Sequence, residues 1–311
     1  MFGKKSLFFL VVILILMCIA KEGMSVEGAP ISEPALQGRN DIVFFEDFED
    51  PNWINHFNWE HYKSENATRT TQEVAVGNAA LDVTMVKGSN YGVKLTHWLE
   101  PGLDTAYLRF YVKYEDGFDF NEGIKVGGLR GACDQSTSAG RGGGDCNGYD
   151  AYSSRVHIPR GMYGNTVSMY TYHIDDGSNF GEQFLTSWDI EPGRWFCVEL
   201  MLKANTVNGT GNANRDGEIK LWVNGELVGH ETGIRFRFTD DLKINDIHMA
   251  PYAGGFVQEA TPKTQHVYYD NIVVARNYIG PYGAGSSTNK PPQLAFIGDK
   301  IVNEGETLTI T

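Results

Sequence analysis

Basic residues are scarce in this 311-residue chain: 26 Lys and Arg stand against 39 Asp and Glu, a formal net charge of −13. Neutralising a phosphate backbone needs a basic footprint, so non-specific nucleic-acid binding is excluded. Cysteine is sparse too, with four in all, and neither a Cys-x-x-Cys pair nor clustered His offers a zinc site. Gly-x-Ser-x-Gly, His-Glu-x-x-His and a phosphate loop ending in Gly-Lys-Ser/Thr are all missing, which removes three common catalytic signatures. No window carries amphipathic helical periodicity. After the first 20 residues no apolar run could span a bilayer.

What remains is a turn-rich, aromatic chain: 41% hydrophobic, 12% aromatic, 36 Gly without a collagen period. That composition supports a packed core and rules out disorder for the bulk of the sequence. Residues 79–86, 106–114, 166–174, 195–202 and 266–275 are rich in β-branched and aromatic side chains, several alternating apolar with polar as half-buried strands do. Residues 219–228 read as a hairpin turning at Asn224-Gly225. A dozen or so strands over about 240 residues predict an all-β fold, a two-sheet antiparallel β-sandwich or jelly roll.

The ends differ from the middle. Lys4 and Lys5 precede the apolar run Leu7 to Ile19, and the small residues Cys18 and Ala20 fit cleavage after Ala20. Residues 1–20 therefore read as a signal peptide, the run being short of the roughly 20 residues a membrane span needs. The expected location is secreted or extracellular, with no membrane attachment after cleavage. Residues 21–40 read as a linker, 41–282 as the sandwich domain and 283–292 as a Gly/Ser/Asn/Pro linker. Residues 293–311 resemble the beginning of an Ig-like or cadherin-like repeat, which predicts further domains in a longer protein. In an oxidising compartment Cys133 and Cys146, flanking a Gly/Ser-rich loop, are the natural disulfide pair. Cys197, in an apolar stretch, reads as an inert buried thiol.

Two acidic and cationic clusters are candidates for chemistry. Glu46-Asp-Phe-Glu-Asp50 lacks the spacing that aims carboxylates into the cleft of β-sandwich glucanases; a solvated strand edge is the expected role, a structural calcium site the alternative. Further on, Lys125 precedes a glycine-bracketed turn that ends at Arg130-Gly131. Ser153 and Arg155 share a strand face at i, i+2, as do Tyr170 and Tyr172. Between residues 125 and 160 the balance is +2, from Lys125, Arg130, Arg141, Arg155 and Arg160 against Asp134, Asp145 and Asp150. A polyanion would be drawn here if anywhere.

Cations beside phenols suit the β-elimination of a uronate polymer. Cations on the sugar carboxylate stabilise the anion that develops when the C5 proton leaves. A tyrosine can act as base or acid when neighbouring cations favour its phenolate.

The order Lys-x-Gly-Gly-Leu-x-Gly, Tyr-Ser-x-Arg and Tyr-x-Tyr-His resembles polysaccharide lyase family 14 and the related glucuronan lyases. Pro192-Gly-Arg-Trp195, Asp216-Gly-Glu218 before Leu221-Trp-Val-Asn-Gly225, and Tyr269-Asp-Asn-Ile-Val-Val-Ala-Arg276 extend the resemblance over residues 44–280. It implies a concanavalin A-like jelly roll that cleaves alginate or glucuronan by elimination, with an acidic polysaccharide as partner and no obligatory cofactor or metal. Matched motif by motif, Tyr170 and Tyr172 are the expected acid and base, Lys125 and Arg155 the carboxylate neutralisers, and Ser153 an orienting hydrogen bonder. Arg130, His157 and His173 are expected substrate contacts. Gly127 departs from the proline common in relatives, and residues 132–150 form a long insertion. A carbohydrate-binding module without turnover is the competing reading. Taken singly, Tyr170 and Tyr172 could be cross-strand packing, Trp188, Trp195 and Trp222 core aromatics, and His61 and His97 have no assigned place.

Overall fold

The computed structural model describes residues 32–120, 122–140, 146–177, 180–209, 211–254 and 260–283. The signal peptide and the C-terminal repeat expected from sequence lie outside these residues. Among the described residues no helix is long and apolar enough to cross a membrane.

Among the described residues fifteen strands make up the fold: β1 (Ile42–Glu46), β2 (His61–Tyr62), β3 (Ala67–Thr70), β4 (Ala80–Met85), β5 (Lys94–Leu103), β6 (Thr105–Tyr114), β7 (Ile124–Ala132), β8 (Ala151–Ile158), β9 (Thr166–Tyr172), β10 (Glu182–Asp189), β11 (Trp195–Lys203), β12 (Gly217–Val223), β13 (Glu226–Ile234), β14 (Ile244–Ala253) and β15 (Gln265–Ala275). One sheet runs β13-β12-β11-β6-β15-β4-β3, with β1 also on β15; the second runs β10-β9-β8-β7-β14-β5-β2. Every pairing is antiparallel. The predicted two-sheet sandwich is therefore the fold. The Asn224-Gly225 turn joins β12 to β13 with both residues at positive φ (51° and 85°), as a type I′ hairpin requires.

The inner faces fuse into one core. Leu108, Phe110, Val112, Leu200, Leu221 and Val267 come from the first sheet, and Ile124, Val126, Leu129, Val156, Val167 and Ile247 from the second. Period-two alternation puts the intervening residues of β8 and β9 on the outer face of the second sheet. In β8, Tyr152 and Val156 go inward, so Ser153, Arg155 and His157 go outward.

Three sequence expectations are corrected. Cys133 and Cys146 are not joined in a disulfide: Cys133 is exposed beside Asp134, while Cys146 is buried in the core. The acidic run is not a solvated edge: Glu46 and Asp47 are buried. Glu46 accepts the Phe48 N–H at 2.5 Å and pairs with His56, and Asp47 accepts the Ser32 hydroxyl at 3.0 Å. Finally, residues 32–40 are docked rather than linking. Glu33 forms a buried two-pronged ion pair with Arg109 (2.7 and 2.9 Å) on the first sheet. Cys197 is buried as expected, its thiol pushed up to about 12 mainly by desolvation.

Candidate active site

Three central strands of the second sheet assemble the site by register. Arg155 on β8 lies opposite Tyr170 on β9 and Gly128 on β7; Ser153 lies opposite Tyr172 and Arg130; Lys125 lies opposite His157 and, on its other side, Tyr252 of β14. The register shifts between Lys125 and Gly127. Val126 is in the core, and a side chain on Gly127 would meet Met249 and Phe110 there. Two consecutive inward residues are what a β-bulge produces, and the bulge re-aims Lys125 to the outer face with Arg155.

A hydrogen bond from the opposite sheet fixes that bulge: Tyr269 on β15, fully buried, donates its hydroxyl to the Val126 carbonyl at 2.8 Å. Gly128 makes room on the outer face. A Cβ there would lie 2.5 Å from Arg155 Cγ and 2.3 Å from the Ser154 carbonyl oxygen. Arg155 therefore crosses β7 only because that position is bare.

The result is a compact cluster. Lys125 Nζ lies 4.7 Å from the centre of the Tyr170 ring and 5.5 Å from that of Tyr252. The Arg155 guanidinium lies 5.8 Å from Tyr170 and 5.7 Å from Tyr172. The two tyrosine rings meet edge to face at 5.5 Å, and the His157 ring is 5.3 Å from Tyr170. Tyr170 is half-buried, Tyr172 buried. The Tyr170 hydroxyl accepts the Gly181 N–H at 3.1 Å and hydrogen-bonds to Tyr172.

Electrostatics divides the roles. Desolvation, with the hydrogen bond and charge of Tyr172, pushes the Tyr170 phenol above its ordinary value, so it keeps its proton. Burial, then the charges of Lys125 and Arg155, hold His157 well below the usual imidazole value. It is neutral at neutral pH, which leaves Lys125 and Arg155 as the cations on this face of the cluster.

Other expected site residues fall elsewhere. Ser153 donates to the Gly140 carbonyl at 2.6 Å, and Arg130 donates to the Thr137 and Ala139 carbonyls (2.7 and 3.0 Å) while pairing with buried Asp246 at 3.0 Å. Both hold the segment after β7 against the sheet instead of facing open space. His173 sits past the end of β9, paired with Glu182 at 2.8 Å, and is not a cluster member. His97 packs on Phe44 in the core and His61 bonds the Phe57 carbonyl. Trp195 and Trp222 belong to the first sheet, against Tyr268 and Tyr107. Among the described residues no group of three or more His, Cys, Asp or Glu side chains is arranged to hold a metal ion. Sequence reasoning missed Tyr252, Gly181 and Tyr269. Tyr269 stood inside a quoted motif, but its reach to Val126 crosses the sandwich and leaves no local signal.

A two-sheet jelly roll whose central strands gather paired cations and tyrosines on one outer face fits a polysaccharide lyase. The sequence model of polysaccharide lyase 14 matches residues 76–272, and the chain belongs to that family. No curated protein matches the sequence. Among solved structures, the family 14 alginate lyase from Aplysia kurodai superposes with a TM-score of 0.63 at 16% identity, covering 76% of this chain and 99% of its own. An alginate lyase from Chlorella virus gives 0.58 at 19% identity (76% and 100%). An endo-β-1,4-glucuronan lyase from Trichoderma reesei gives 0.53 at 17% (76% and 96%).

Proposed function

We propose that this lyase is exported and cleaves a uronic-acid polysaccharide of the alginate or glucuronan type by β-elimination. The observation that carries this reading is the convergence of Lys125, Arg155, Tyr170 and Tyr172 on one outer face. Two fixed cations match a sugar carboxylate. Binding there lowers the cost of charge that spreads onto the carboxylate as the C5 proton leaves.

Tyr170, which holds its proton, is the acid for the departing glycosidic oxygen. Tyr172, beside it and 5.7 Å from the Arg155 guanidinium, is the base that takes the C5 proton. The electron pair of the C5–H bond becomes the C4–C5 double bond as the C4–oxygen bond breaks. The products are a new reducing end and an unsaturated uronate at the new non-reducing end. Ser153 and Arg130 act by holding residues 137–140 beside the cleft, and His157 lends a neutral hydrogen-bonding edge between the two cations.

Incubation with alginate and with polyglucuronate tests the reading. Ultraviolet absorbance of the conjugated uronate should rise with at least one of them. Reducing ends without that absorbance would indicate hydrolysis, and binding without either would indicate a sugar-binding module.

A further inference from the structure

We infer that a row of three tyrosines running from the cluster to the sheet edge, Tyr252, Tyr91 and Tyr62, is a binding track for the polymer on one side of the scissile bond. This rests on the lyase reading above and extends the same site. The row begins where Lys125 Nζ lies between the Tyr170 and Tyr252 rings. Tyr252 meets Tyr91 at 4.5 Å, through a bridge that pairs their backbones, and Tyr91 meets Tyr62 at 5.5 Å. Each contact is edge to face, so in each pair one ring offers an edge and the other a face. The path crosses β14 and the segment before β5 to reach β2, perpendicular to the strands.

Charge along the row is chosen for an acidic chain. Lys63 Nζ and Lys94 Nζ lie 5.8 and 5.9 Å from the centre of the Tyr62 ring. Lys63 is held by the Ser89 hydroxyl at 2.6 Å, and Lys94 pairs with Glu60. A protein of net charge −13 therefore places two ammonium groups at the far end of a line that starts at Lys125. Aromatic faces accept the C–H groups of a sugar ring, while ammonium groups meet its carboxylate; together they fit a polyuronate and disfavour a neutral glucan. Tyr62, a residue of the two-residue edge strand β2, is 47% exposed. A core or pairing role does not account for a large aromatic in that position.

The test is Tyr62→Ala alone and with Lys63→Gln, with Tyr62→Phe as the conservative control. Affinity electrophoresis through gels carrying alginate or polyglucuronate reads binding independently of turnover. Steady-state kinetics on the long polymer and on a trisaccharide of the same sugar reads the subsite. Tyr62→Ala should weaken retardation and raise KM for the polymer roughly three- to tenfold, the range of one aromatic contact, with a smaller effect on the trisaccharide. Tyr62→Phe should restore both values. Equal losses on polymer and trisaccharide, or unchanged retardation and KM in the double variant, would overturn the track. If the parent protein is retarded by these polymers but forms no unsaturated product, the lyase chemistry fails while the track is still judged by retardation.

Discussion

The Tyr269 hydroxyl of one sheet donates to the Val126 carbonyl of the other at 2.8 Å, one residue from Lys125. The sandwich core is thereby tied to the position of Lys125. Tyr269→Phe leaves a buried carbonyl without that donor, at a cost of about 1–3 kcal/mol. The expected outcome is a lower melting temperature together with a fall in kcat/KM larger than the stability loss alone would produce at a temperature where the variant is folded. An active site indifferent to this change would show that the bulge holds itself.

Gly128→Ala tests the crossing of Arg155 over β7. The added methyl cannot be absorbed by the end of a flexible chain, because the Ser154 carbonyl and the Arg155 Cα (2.8 Å) stand in its way. Overpacking of this kind costs roughly 1–3 kcal/mol. Turnover should drop at least about tenfold, since guanidinium placement sets the electrostatic gain. Activity equal to the parent would remove Arg155 from the mechanism.

The pH profile of kcat/KM separates the two groups able to take the proton. A base at Tyr172 predicts a profile that outlasts the loss of the His157 ring. A base at His157, which burial, Lys125 and Arg155 hold well below the usual imidazole value, would give a rising limb in the acid range and a plateau by neutral pH. With Tyr170 held protonated above its ordinary range, no falling limb is expected below about pH 10. Tyr172→Phe should lower kcat by about 100- to 10,000-fold with substrate retardation kept. His157→Gln should leave the profile in place.

Stability should fall as pH rises toward neutrality. Desolvation raises Glu46, Glu199 and Asp270 to about 7 each, from ordinary values near 4. Between those limits the folded state binds protons that the unfolded chain has released, so the favourable contribution is complete below pH 4 and lost by pH 7. Each is worth at most about 3–4 kcal/mol. Asp41, Asp104, Asp175 and Glu218 are shifted downward and act in the opposite sense, but in the acid range below pH 4. His97 and His157 are lowered and oppose this between about pH 5 and 7, so the check compares thermal melts of the parent and Glu199→Gln at pH 5 and 7.5; a parent whose melting temperature falls no further over that interval than the variant's would contradict the burial of this carboxylate.

Much of this molecule was legible because its signals are local. Alternation exposed the strands, Asn224-Gly225 marked a hairpin, and i, i+2 spacing put Ser153 with Arg155 and Tyr170 with Tyr172 on shared faces. The convergence of β7, β8 and β9 came from motif order rather than periodicity. What sequence could not deliver depends on three-dimensional neighbours. Ser153 and Arg130 share the face of Arg155, yet the carbonyls of Gly140, Thr137 and Ala139 occupy them. Glu46 and Asp47 look like a solvated edge until the 32–40 segment and His56 cover them. Cys133 and Cys146 flank one loop, but one faces solvent and the other the core.

The account turns on Tyr170 as the proton donor in an elimination. The decisive measurement follows Tyr170→Phe and the parent protein side by side on alginate and polyglucuronate, recording ultraviolet absorbance and reducing ends in the same samples. The parent should form one conjugated double bond per new reducing end, and the variant should stay folded, bind polymer and form neither at a measurable rate. A Tyr170→Phe protein that still generates the double bond at the parent rate, or a parent that makes reducing ends without it, would contradict the mechanism.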